Sequence, residues 1–127
     1  MKATGTNTEV ITRVKPLRVT QRLTPKRDRR APFTFRTTGR VVPPASLSTA
    51  LACASSTGIV AVQVKKGKET ISNRRVALKP DCSYSSSVTF KERKRFGKRR
   101  RLKFVVRFLG NERLEPVINT PMTARVR

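Results

Sequence analysis

Histidine and tryptophan are both missing from this 127-residue chain, and acids are scarce, with seven Asp or Glu against 30 Lys or Arg. General acid–base catalysis calls most often on histidine, so its absence weighs against a catalytic role. The few carboxylates are scattered among cations, and no G-x-S-x-G elbow, Walker loop or G-x-G-x-x-G run occurs. Two cysteines without histidine do not complete a four-ligand structural zinc site. Apolar runs stay well short of the ~18 residues that a membrane helix needs. The first residues, MKATGTNTEVITRVK, lack the apolar centre of a signal peptide. The expectation is a chain that is not an enzyme, with no metal, no cofactor, no small-molecule substrate and no membrane span.

What the chain has in excess is positive charge. A net charge of +23 and a pI near 11.9 create a surface that attracts polyanions such as nucleic acid, anionic polysaccharide or teichoic acid. The length suits one domain, and 36% apolar residues gathered into runs favour a folded core with polar faces.

Those runs alternate with period 2, the signature of half-buried strands. Phe33, Phe35 and Thr37 alternate with polar neighbours; so do Val60, Val62 and Val64. Tyr84, Ser86, Val88 and Phe90 form a third set, Leu102, Phe104, Val106 and Phe108 a fourth, and Met122, Ala124 and Val126 a fifth. Lys66-Gly67-Lys68 separates two β-rich runs, 59–66 and 69–78, and reads as a hairpin with Gly67 at positive φ. Further turns fall at Pro43-Pro44, Lys79-Pro80-Asp81, Phe96-Gly97-Lys98 and Gly110-Asn111. About seven short strands with this spacing predict an all-β antiparallel sandwich. Residues 47–53 fit either a strand or an irregular approach to Cys53. Residues 1–30 read as a basic N-terminal segment with an edge strand at 16–23, residues 24–32 as a charged connector, and 31–127 as the sandwich. The cluster Lys26, Arg27, Arg29 and Arg30 reads as a flexible tether.

Cys53 and Cys82, 29 positions apart, read as one disulfide formed in an oxidising compartment, the alternative being two buried thiols in a cytoplasmic protein. A disulfide without a signal peptide is expected if the sequence is a piece of a longer exported protein with neighbouring domains.

The segments FTFRTTGRVVPP, IVAVQVKKGKETISNRRVAL, CSYSSSVTF and above all RLKFVVRFLGNERLEP resemble the bacterial Ig-like repeats of exported actinobacterial-type proteins, over residues 33–127. The resemblance implies an Ig-like β-sandwich serving as a spacer, adhesion or presentation module, with no active site to transfer. It also implies that Cys53 precedes the third strand and Cys82 opens the fifth. The bridge would then tie the ends of a hairpin excursion, unlike the inter-sheet bridge of antibody domains around a buried Trp. The chain departs from the family pattern in its strong positive charge.

The sharpest local feature is KERKRFGKRRRLK, residues 91–103, with nine Lys or Arg in thirteen positions. In a sandwich this is an end loop. Its lone aromatic, Phe96, is expected to plug the core, because base-stacking proteins interleave several aromatics with their cations. Lys91, Arg93, Lys94, Arg95, Lys98, Arg99, Arg100, Arg101 and Lys103 are the candidate polyanion contacts of the loop. Lys103, Arg107, Arg125 and Arg127 should point outward from the last two strands, with Lys65 beside them. Such a basic face also guards against edge pairing. The Ser83–Ser87 cluster has no base beside it and reads as an outward hydroxyl ladder. The functional expectation is a non-catalytic Ig-like structural or adhesion module, extracellular or in the cell envelope, that binds an anionic polymer electrostatically. The alternative is a small cytoplasmic nucleic-acid-binding β domain.

Overall fold

The computed structural model describes residues 13–54 and 57–126, and Arg127 and the first twelve residues lie outside them. Nine strands form: β1 (Arg18–Val19), β2 (Arg22–Thr24), β3 (Phe33–Val42), β4 (Ile59–Lys66), β5 (Glu69–Ala77), β6 (Ser83–Phe90), β7 (Arg101–Phe108), β8 (Val117–Ile118) and β9 (Met122–Arg125). They make two antiparallel sheets. In the first, β1 and β2 both pair with one side of β3, and β6 pairs with the other. In the second the order is β5-β4-β7, with β8 and β9 both on the far side of β7. Thus β1/β2 and β8/β9 are interrupted edge strands, and nine strands occupy the seven expected positions. By position, the sheets run 1-2-5 and 4-3-6-7, an Ig-like sandwich whose fourth strand joins the second sheet, whereas constant-type immunoglobulin domains carry it on the first.

The alternation read from the sequence gives the core directly. Phe33, Phe35, Tyr84, Val88 and Phe90 from the first sheet meet Val60, Val62, Val64, Leu102, Phe104, Val106 and Phe108 from the second, all buried. Burying each large side chain contributes roughly 1.5–3 kcal/mol before entropy is counted. Phe96 is 0% exposed and stands edge-on to Phe33 and Phe90, with ring centroids 5.0 and 5.2 Å apart. It closes one end of the core.

Local chemistry fixes the turns. Gly67 takes φ 62° in the tight connection between β4 and β5, a region that costs glycine little. Gly39 lies opposite Tyr84, and a β-carbon there would come within 2.6 Å of the Tyr84 hydroxyl, which donates to the Thr20 carbonyl. The Asp81 carboxylate accepts hydrogen bonds from the Ser83 hydroxyl and amide. Those bonds hold its pKa below the ordinary value, and Arg40 adds to the effect.

Residues 50–54 settle the ambiguity before Cys53: they form one π-type helical turn that buries Ala52 and Cys53. Cys53 is bonded to Cys82, which precedes β6, with Cα atoms 5.3 Å apart. The bridge encloses the β4–β5 hairpin. The segment expected to be a flexible tether is instead tied to the second sheet. Arg27 bridges Arg125, Asp28 N donates to Arg125 O, and Arg125 N donates to Lys26 O. Backbone pairing with β9 outweighs the disordering tendency of its charges. Among the described residues, no helix is long and apolar enough to cross a membrane.

Candidate polyanion-binding face

The run 91–103 is not one loop of equivalent cations. Residues Arg93–Phe96 form a 3₁₀ turn, and β7 begins at Arg101. Arg93 is half-buried. Its guanidinium donates to Val126 O at 2.7 Å and Arg29 O at 2.6 Å and lies 5.1 Å over the Phe33 ring. Arg95 donates to Ile71 O on β5 at 2.7 Å and lies over Phe90. Lys94 is paired with Glu92 at 2.9 Å. Arg93 and Arg95 serve the end of the sandwich: once Phe96 turns inward, the flanking guanidiniums reach carbonyls beyond the end of β9, in the 24–32 connection and at the β5 bulge. Lys91, Lys98 and Arg100 are exposed beside them.

Arg99, Arg101 and Lys103 gather elsewhere. With Lys65, Lys66 and Lys68 they line a shallow basin at the β4–β5 hairpin end, closed on one side by Thr123. Its one acid, Glu69, is 3.6 Å from Lys66. Arg99 packs over the hairpin turn, so that a β-carbon at Gly67 would meet its guanidinium nitrogen at 2.7 Å.

Strand register makes this crowding explicit. Lys103 on β7 is directly opposite Lys65 on β4, and Arg101 is directly opposite Arg125 on β9. The buried Leu102, Phe104 and Ala124 between them set the alternation, so Arg101, Lys103 and Arg125 all project from the outer face. Like charges directly opposite each other are destabilising. Two such pairs side by side are therefore a cost that the fold carries on its surface. Farther along the face, Arg107 of β7 and Arg75 of β5 flank Ala61 of β4. The sequence reading missed Lys66, Lys68 and Arg75; the lysines of KKGK were legible only as hairpin punctuation, although the turn aims them into the same basin.

All six phenylalanines and the single tyrosine are buried. Among the described residues the exposed large apolar side chains are Leu17, Leu51, Ile59 and Ile118, none of them aromatic. The face thus offers charge and hydrogen-bond donors but no ring on which a base or sugar could stack. No family model, curated protein or solved structure matches this chain. Chemically, the arrangement can hold a linear polymer with repeated phosphate, sulfate or carboxylate groups, through side-chain cations and without reading sequence.

Proposed function

We propose that this domain is a non-catalytic Ig-like module of an exported or cell-envelope protein, adhering to an anionic envelope polysaccharide through its hairpin-end face. The observation that carries the reading is the register of the two like-charge pairs, Lys65–Lys103 and Arg101–Arg125. An anionic group seated between the members of each pair converts mutual repulsion into two attractions. The Cys53–Cys82 bond supports an oxidising location. The burial of every aromatic side chain disfavours the nucleic-acid alternative, because base recognition by single-strand binders relies on stacking.

The test compares two charge-matched quadruple variants against a sulfated polysaccharide and a random duplex DNA across a salt series. One variant changes Lys65, Arg101, Lys103 and Arg125 to Ser, and the other changes Lys15, Arg22, Arg30 and Lys79. The face variant is expected to lose affinity for the polysaccharide and to flatten the dependence of log K on log salt by about one per contact removed. Equal weakening by both variants would reduce the face to bulk charge, and a preference for DNA would move the domain to the nucleic-acid reading.

A further inference from the structure

Three of the four sheet edges carry features that discourage strand addition. β1 and β2 have two and three residues, and β8 and β9 two and four. β5 is long, but it shifts register at a bulge opposite Val64 and Lys65 and carries Glu69, Arg74 and Arg75. β6 has none of these. Its eight residues, SYSSSVTF, include no charge and no proline, and they follow β3 without a shift from the Ser83–Arg40 pair to the Phe90–Phe33 pair. In a chain where 29% of residues are charged, this is the one long edge left plain.

The ladder shows which backbone groups look outward. Leu17 N and Thr20 N donate to the carbonyls of Val42 and Arg40, so the even-numbered residues of β3 bond toward β1 and β2. Val41 N donates to Cys82 O, so its odd-numbered residues bond toward β6. Directly opposite residues of an antiparallel pair exchange both bonds or neither. Tyr84, Ser86, Val88 and Phe90 therefore bond to β3, while Ser83, Ser85, Ser87 and Thr89 turn their amides and carbonyls away. Ser83 O is met by Lys79 N. No described residue meets the backbone groups of Ser85, Ser87 or Thr89.

Beside this edge lies a cleft toward β5, lined by Ser72, Arg74, Val76 and Ser86. Ser86 is 8% exposed, and its hydroxyl has no hydrogen-bond partner among the described residues. A buried hydroxyl of that kind is costly unless something bonds to it. We propose that the β6 edge is a strand-docking site that takes an extended acidic segment of a partner protein. Main-chain bonds to Ser85, Ser87 and Thr89 would supply affinity, and the alternating side chains would supply choice. Side chains on the inner side would be small or β-branched, against Val76 and Ser86. Those on the outer side would be Asp or Glu, near Arg36, whose Nε donates to the Ser85 hydroxyl at 3.3 Å. Arg74 flanks the cleft, and the net charge of +23 opposes a second copy of the chain as occupant. The edge lies apart from the hairpin-end basin, so this proposal does not depend on polymer binding.

The experiment adds a short peptide alternating Glu with Val and Ser to the oxidised protein at raised salt. Amide hydrogen exchange is read by NMR. Two further peptides carry N-methyl groups on one or the other set of alternate amides, which keeps the charge and removes the donors. The expected result is slowed exchange at Ser85, Ser87 and Thr89, with one methylated peptide at least about tenfold weaker and the other nearly unchanged. Ser87→Pro, which removes an outward amide that β3 does not use, should weaken the parent peptide similarly. Equal binding of all three peptides to the wild-type protein, or protection confined to residues 65–69, would overturn the proposal. Protection of the three amides that grows with protein concentration alone would overturn it in favour of self-association.

Discussion

Arg93 and Arg101 sit eight positions apart in one basic run at one end of the sandwich, yet their side chains do different work. Arg93 holds two carbonyls and covers Phe33, so Arg93→Ala should cost about 2 kcal/mol in urea denaturation, the scale of bonds to a charged donor. Arg101→Ala removes an exposed cation facing Arg125; its stability should change by less than ~0.5 kcal/mol. Polysaccharide affinity should fall for Arg101→Ala and stay near wild type for Arg93→Ala. Tyr84 makes a pH prediction at the same scale. Burial pushes its phenol well above the ordinary value of 10.0. A group whose folded pKa is raised contributes fully below its unfolded pKa, and that contribution is lost as pH rises beyond it. Stability should therefore fall above about pH 10, a loss that Tyr84→Phe removes while costing ~1 kcal/mol at neutral pH. Denaturation midpoints of both proteins across the alkaline range check this. That Phe96 would be a core plug was legible in the sequence, because a lone aromatic among cations has no stacking role. The split among the arginines was not, since which guanidinium meets a free carbonyl depends on how distant strand ends converge.

At the scale of elements, the strands were legible because each core face repeats every second residue, as in Leu102–Phe104–Val106–Phe108. The hairpin followed from Gly67. The edge strands were harder: two- and three-residue segments such as β1 and β2 carry too little alternation to separate from a connector. Register was invisible too, and it is register that brings Lys65 against Lys103. The pairing gives a prediction in which stability and binding move in opposite directions. Lys103→Glu turns a like pair into an opposite one, and thermal melting should show a gain of about 0.5–1 kcal/mol. The same change should weaken polysaccharide binding several-fold, because it removes a cation and adds an anion in the basin. A stability loss would mean that the Lys103 stem packs more than its charge repels.

For the molecule as a whole, the disulfide is the main covalent constraint, and two Cys in a small β chain already pointed to it. Reduction under non-denaturing conditions should lower stability by about 3–4 kcal/mol on the loop-entropy model for a bridge spanning 29 positions. Guanidinium titration with and without reductant measures it. The two sides of the sandwich also differ. On one, bridges between Val14 and Leu114 and between Arg27 and Arg125 lace the N-terminal segment to the second sheet. On the other, β5 and β6 face each other across an open cleft. Nothing in composition foretold this asymmetry, because the closing contacts are made by backbone groups, of apolar Val14 and Leu114 as of charged Arg27 and Arg125.

The bridge has a mechanical meaning as well. Cys53 and Cys82 stand on either side of the β4–β5 hairpin, so tension applied along the chain passes through the sulfurs and leaves the hairpin outside the line of force. At ~3.5 Å per residue, about 100 Å of chain is withheld from extension. Force spectroscopy should read an unfolding step shorter by that length in the oxidised protein than in the reduced one. Lys65, Lys66 and Lys68 sit on the withheld loop. Tension between the chain ends therefore cannot straighten the segment that carries them, even as the rest of the domain gives way.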